Sequence, residues 1–182
     1  YILYYQPKVN MHTGEVIGLE ALIRWRHPRM GILTPASFLS YIENTELEIK
    51  LGEWVIITVL QQLSEWQELG DFPPVSINIG SMHLQQKDFV ERLAGLLEMF
   101  PIVSPHCIEL EVLESNALDD MGHVSAVIEA CGKLGVQFAL DDFGTGYSSL
   151  TYLKQLPAAT LKIDQNFVRD MLEDPEDLAI LE

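Results

Sequence analysis

Residues 123–150 read HVSAVIEACGKLGVQFALDDFGTGYSSL, and within them the pattern changes period twice. A helical pattern at 123–134 is stopped by Gly135, and a β-rich apolar run follows at 136–140. That run ends on two aspartates, Asp141 and Asp142, and the chain then turns through Gly144 and Gly146 towards a second helix at 148–153. A helix, a short apolar strand, a glycine-bearing turn and another helix are the parts of a βαβ crossover. Repeated, such units build a parallel sheet flanked by helices.

The same alternation continues in both directions. Upstream, residues 16–25 are strand-like, and Thr34 and Pro35 supply an N-cap and a first-turn proline for a helix running towards Thr45. A second helical stretch at 51–69 ends at Gly70, with Pro73 and Pro74 beyond it. Residues 75–79 form a short apolar run followed by helix to about residue 99, and 108–112 form the next strand. Downstream, 160–163 is a strand and 166–172 a helix. Two folds accommodate this order, a doubly wound open sheet and an eight-fold barrel. No dinucleotide-type glycine fingerprint follows the first strand, which favours the barrel.

A (β/α)8 barrel takes about 250 residues, and this chain has 182. It supplies roughly six of the strand–helix units. Its last residues open a new helix, with Asp174 as N-cap, Pro175 as first helical residue, and Glu176 and Asp177 at the positive dipole end. The expectation is therefore one α/β domain over residues 1–182, a barrel lacking its last strand–helix units. The opening residues Tyr1-Ile2-Leu3-Tyr4-Tyr5 read as the first strand of an excised domain rather than a signal peptide.

Composition narrows the function. A net charge of −16 argues against a general nucleic-acid or anionic-membrane surface, which needs clustered Lys and Arg. No apolar run approaches the roughly 18–20 residues that span a bilayer. Cys107 and Cys131 lie far apart, with no metal-ligand spacing, and read as buried reduced thiols of a cytoplasmic domain. His12, His27, His83, His106 and His123 are scattered and read as surface or turn positions. Trp25, Trp54 and Trp66 read as packing residues, and the acidic stretches at 43–48 and 173–177 as solvated helix faces and caps.

The polar residues that matter share one place. Glu20 lies within the second β-rich run, Asn78 and Glu111 near the ends of theirs, Asp141 and Asp142 just after one, and Lys162 inside Leu161-Lys162-Ile163. Buried charge is costly, so such groups should converge on something that compensates them. In a barrel the C-terminal strand ends converge on one mouth. Carboxylates with an amide oxygen, and no Cys or clustered His, are hard ligands that suit Mg2+ or Mn2+. Adjacent aspartates allow one to bridge two ions while the other serves the second. The residues from Asp141 to Leu150 turn tightly beside this mouth, and Ser148 or Ser149 can cap the helix that follows.

The series Gln6-Pro7, Leu19-Glu20-Ala21-Leu22-Ile23-Arg24-Trp25 with His27-Pro28, Asn78, Glu109-Leu110-Glu111 with Glu114-Ser115, the loop from Asp141 to Leu150, and Leu161-Lys162-Ile163-Asp164 closely resembles the EAL-type phosphodiesterases. These enzymes cleave the bacterial second messenger cyclic di-GMP. The resemblance implies a modified (β/α)8 barrel with one early strand antiparallel. It implies Glu20, Asn78, Glu111 and Asp141 as metal ligands, with Asp142 on the second of two Mg2+ or Mn2+ ions. Lys162 matches the lysine at the metal, water and phosphate region, Arg24 a phosphate-contacting arginine, and Gln6 a residue at the substrate mouth. Glu114 matches the glutamate that holds the aspartate loop in its active arrangement.

The reaction so implied opens cyclic di-GMP to linear pGpG. Gly80 stands where the family usually has serine, and Leu113 where it often has threonine. The family's downstream glutamate, read as the general base, and its glutamine near the last strand would lie beyond Glu182, so residues 1–182 alone are expected to be catalytically silent. A cyclic di-GMP receptor or signal-relay domain without catalysis is the alternative; the intact metal-ligand set and aspartate loop favour the enzyme. A homodimer, and a sensory or cyclase-like domain upstream in the parent protein, belong to the same expectation. So does a cytoplasmic location, with any membrane anchor in a region outside this chain.

Overall fold

The structure is a computed structural model, and it describes residues 1–68, 70, 72–144 and 156–170. The chain opens with β1 (Ile2–Val9) and β2 (Val16–His27), an antiparallel pair in which Gln6 faces Glu20. Their turn is organised by Asn10, whose Oδ1 accepts from the N–H groups of His12 and Thr13, while Gly14 takes the positive φ of 74° that closes it. β3 (Gly31–Leu33) folds back on the end of β2. Parallel strands β4 (Val75–Asn78), β5 (Ile108–Leu113), β6 (Gln137–Phe143) and β7 (Thr160–Ile163) follow.

The strand order is β1-β2-β4-β5-β6-β7, with β3 beside β2. Each parallel strand is laid down next to its predecessor and the order never reverses. A doubly wound sheet has a reversal at its switch point; a barrel does not. The sheet is also rolled. Four strand spacings separate β2 from β7, about 19 Å on a flat sheet, yet Lys162 Nζ of β7 lies 3.4 Å from Glu20 Oε2 of β2. Among the described residues the sheet is not closed by strand pairing, and β1 and β3 both pair with β2 antiparallel.

The helices are α1 (Glu46–Gln67), α2 (Ser81–Leu84), α3 (Phe89–Glu98), α4 (Glu114–Asp119), α5 (Met121–Leu134) and α6 (Gln165–Asp170). Thr45 caps α1 by accepting from Leu47 N–H, so this helix starts five residues before the expected Leu51. Its buried stripe is Val55, Ile56, Val59, Leu60 and Leu63, which joins Val75 and Ile77 of β4 in the core. Gly135 ends α5 in the left-handed conformation, φ 93°. None of the helices is long and apolar enough to cross a membrane, among the described residues.

Several local expectations need correction. The helix expected from Thr34 towards Thr45 is two 3-10 turns, Pro35–Ser37 and Leu39–Tyr41. Phe38 breaks the run at φ −144°, because its ring is buried against Tyr1 and Trp25. Burial of one aromatic side chain outweighs a turn of helix here. The helix expected up to residue 99 is split into α2 and α3, which lets Leu84 and Phe89 both enter the core. His83 is buried, not a surface or turn residue. The expected helices at 148–153 and after Asp174, and the caps at Ser148 and Ser149, lie outside the described residues.

Candidate active site

The site begins with strand alternation. Side chains two apart on a strand share a face, so Glu20 follows Gly18, Asn78 follows Ser76, Glu111 follows Glu109 and Lys162 follows Thr160 on the inner face. Two stacked polar layers result. The lower one is built around Glu109. Its Oε2 receives Lys8 Nζ at 2.6 Å, Ser76 Oγ–H donates to the same oxygen, and Thr160 Oγ1 donates to Oε1 at 2.7 Å. Lys8 enters the interior from β1 because its partner across the pair, Gly18, has no side chain; a Cβ there would lie 2.8 Å from Lys8 Cε. Burial pushes the Glu109 carboxyl up, but the bonds from Lys8, Ser76 and Thr160 outweigh it and hold the carboxyl below its ordinary range.

The upper layer is built around Lys162. Its Nζ lies 2.6 Å from Glu111 Oε2, 3.0 Å from Asp141 Oδ2 and 3.4 Å from Glu20 Oε2. Asn78 joins by donating from Nδ2 to Glu20 Oε1 at 3.0 Å. The side chain of Glu111 is fully buried, and burial raises its pKa despite the neighbouring ammonium. Burial would lower the Lys162 pKa, but hydrogen bonds to Glu111 and Asp141 and the charge of Glu20 carry it above the ordinary lysine value. Three carboxylates thus surround one ammonium at the mouth of the rolled sheet.

A register shift between Leu140 and Phe143 interrupts the β6–β7 pairing at the two aspartates. Asp142 sits there with a positive φ of 54°, rare for a residue with a side chain and a mark of local strain. It is exposed, and desolvation followed by the charges of Asp141 and Asp164 pushes its carboxyl up. Glu114 is buried at the head of α4, where its Oε2 accepts from Gly144 N–H at 3.1 Å and ties the aspartate turn to β5. Residues 145–155 lie outside the described residues.

Glu20, Asn78, Glu111, Asp141 and Lys162 therefore meet. Gln6 stands directly across from Glu20 on β1. Arg24 lies further along β2, on the same face as Glu20 by strand alternation, its Nη1 donating to Ile23 O at 2.8 Å and its guanidinium 5.7 Å from the Tyr4 ring centre. A cavity of about 650 Å3, bordered by Asn78 and Glu111, opens beside the cluster towards the start of α1. Its size suits a small-molecule ligand. The lower layer was missed in the sequence, although period-two neighbours of the chosen residues would have found Glu109, Ser76 and Thr160. Glu48, on the cavity wall, was missed as well.

The donor types fit a hard divalent cation: carboxylates and an amide, without Cys or His. Glu111 Oε1 is buried with no hydrogen-bond partner among the described residues, and Lys8 Nζ stands 3.8 Å from it. Among the described residues no three Asp, Glu, His or Cys side chains already stand at a common coordinating spacing; the Lys162 ammonium lies between the carboxylates.

The family description of the EAL domain matches residues 1–182. The chain belongs to the EAL domain family. It is 39% identical over 181 residues to the bifunctional diguanylate cyclase/cyclic di-GMP phosphodiesterase MucR of Pseudomonas aeruginosa, covering 99% of this chain and 26% of that protein. It is 38% identical over 175 residues to the cyclic di-GMP phosphodiesterase PdeR of Escherichia coli, covering 96% of this chain and 26% of the relative. This EAL chain thus spans about a quarter of the length of these curated relatives. Among solved structures, the MucR phosphodiesterase in complex with c-di-GMP matches with a TM-score of 0.92 at 39% identity, over 98% of this chain and 72% of that one. The EAL domain of FimX from Pseudomonas aeruginosa bound to c-di-GMP matches with a TM-score of 0.86 at 25% identity, over 98% and 71% of the two chains. The EAL fold is TIM-barrel-like, in accord with the sequential strand order and the rolled sheet.

Proposed function

We propose that this EAL chain is the hydrolytic domain of a cyclic di-GMP phosphodiesterase, opening the cyclic dinucleotide to linear pGpG. The observation that supports it most is the convergence of Glu20, Asn78, Glu111 and Asp141 on Lys162 at one mouth of the sheet, beside a cavity of about 650 Å3. Glu20, Asn78, Glu111 and Asp141, with Asp142 towards a second ion, are the residues that would hold Mg2+ or Mn2+. When bound, such ions supply Lewis acidity and lower the pKa of coordinated water.

The chain's own residues do the rest. Lys162 offers an ammonium at the centre of the cluster, where it balances carboxylates and can meet a phosphate oxygen. Gln6, across from Glu20, and Arg24, further along β2, would orient the dinucleotide at the mouth. Glu114 keeps the turn after Asp142 in place through Gly144 N–H, so it acts by positioning.

The test uses the whole protein that carries this chain. With Mg2+ or Mn2+ it should convert cyclic di-GMP to pGpG, read by chromatography and mass, and Ca2+ should support the reaction poorly. Glu20→Ala should abolish turnover while leaving the unfolding transition largely in place. A folded, metal-loaded protein that binds the dinucleotide without cleaving it would establish the receptor reading instead.

A further inference from the structure

Glu48 reads in the sequence as part of a solvated acidic face, and the structure gives it another use. Its Oε2 accepts from Asn44 N–H at 2.8 Å, and its Oε1 accepts from Met82 N–H at 2.8 Å. Thr45-Glu46-Leu47-Glu48 has the spacing of a capping box. In a capping box the glutamate would return to the N–H of the cap residue itself. Here Thr45 N–H bonds Ile42 O instead, and Glu48 reaches one residue further back and across to α2. One carboxylate joins the turn before α1 to the segment just after β4.

Both segments border the cavity, through Asn44 and Glu48 on one side and Gly80 and Ser81 on the other. Asn44 holds a positive φ of 59°, an unfavourable conformation that the bond to Glu48 helps maintain. Gly80, by contrast, has φ −71° and ψ 152°, an extended conformation open to any residue. Its backbone does not require glycine, but the space around it does. A Cβ at Gly80 would lie 2.2 Å from Glu48 Oε1 and 2.9 Å from Glu48 Cγ. The atoms it would meet belong to the movable end of a flexible side chain. A side chain at position 80 would therefore evict the Glu48 carboxylate and leave the backbone where it is.

We propose that Glu48 and Gly80 form a matched latch, a positioning pair that sets the wall of the substrate cavity. Glycine stands where serine is usual in the family because the Glu48 carboxylate occupies the place of the side chain. The substrate role of the latch rests on reading the cavity as the cyclic dinucleotide site. Asn78 is held independently, since Ile79 N–H donates to Glu111 O at 2.9 Å. Opening the latch should weaken substrate binding and spare the chemical step.

The experiment is a double-mutant cycle in the whole protein, with Gly80→Ala, Glu48→Ala and the pair, read as KM and kcat for cyclic di-GMP. Each single variant should raise KM by about tenfold, with kcat held within about threefold. The double variant should be no worse than either single, because both open the same latch. Effects that multiply in the double variant, or an unchanged KM in Glu48→Ala, overturn the proposal. Glu48→Ala adds no atoms, so it carries the test even where Gly80→Ala folds poorly. Amide exchange supplies a readout without substrate: Gly80→Ala should lose protection at both Asn44 and Met82, and retained protection at both overturns the latch. A wild-type protein that neither binds nor cleaves the dinucleotide refutes the proposed function, whereas an active wild type with unaffected variants refutes the latch alone.

Discussion

Lys162 shows how much one side chain settles at this site. Its ammonium lies within 3.4 Å of carboxylate oxygens from β2, β5 and β6, and the Glu111 side chain it touches is fully buried. Removing one partner of a buried ion pair leaves the others uncompensated, at a cost of about 3 kcal/mol. Lys162→Met should therefore lower the unfolding midpoint in the absence of divalent ions. Mg2+ or Mn2+ should raise that midpoint more in Lys162→Met than in wild type, because the ions would then meet carboxylates with no internal counter-charge. Equal shifts in the two proteins, followed by calorimetry or fluorescence, would show that these carboxylates do not hold the ions.

Elements are positioned by side chains that the local pattern does not reveal. α2 and the start of α1 meet at His83, which is buried against Gly52 and stacks edge-on with Phe89. Its Nδ1 has no hydrogen-bond partner among the described residues, and burial, then the nearby Arg92, lowers its pKa from 6.5 to about 4. The folded protein thus resists a proton that the unfolded chain accepts. Stability is full above the ordinary value of 6.5, falls as the pH drops from there to about 4, and changes no further below that on account of this residue. The loss attributable to His83 across that window is up to about 3 kcal/mol. His83→Leu should flatten that part of the stability profile, measured as the difference in denaturation free energy between pH 7 and 5. A profile with the same slope as wild type would show that other groups govern acid sensitivity.

The whole molecule is a sheet rolled until distant strands touch through their side chains. Three strand spacings separate β1 from β5, about 14 Å if flat, and Lys8 bridges them to reach Glu109 at 2.6 Å. The same carboxylate takes Thr160 of β7, so both outer strands of the sheet meet on one glutamate. Lys8→Met should destabilise the protein by about 3 kcal/mol, because Glu109 would stay buried without its cation. Adding Glu109→Gln should restore part of that loss, since the remaining group is neutral and can still bond Ser76 and Thr160. Urea midpoints of the two single variants and the double variant check this; strictly additive losses would mean that the pair does not act as a strut.

The repeating strand–helix order, the barrel in preference to an open doubly wound sheet, and the polar residues at the strand ends were all legible along the chain. These are local signals: period-two and helical patterns, stop residues such as Gly135, and charges that an apolar strand does not bury without cause. Which side chains meet is settled by the folded chain. The 3-10 turns around Phe38, the break between α2 and α3, the buried His83, the Lys8–Glu109 layer and the Glu48–Gly80 contact all depend on partners far away in the chain. Lys8 and Glu109 are 101 residues apart and Glu48 and Met82 are 34 apart. No window of sequence contains both members of such a pair, so their energies overrule local preference without leaving a local trace.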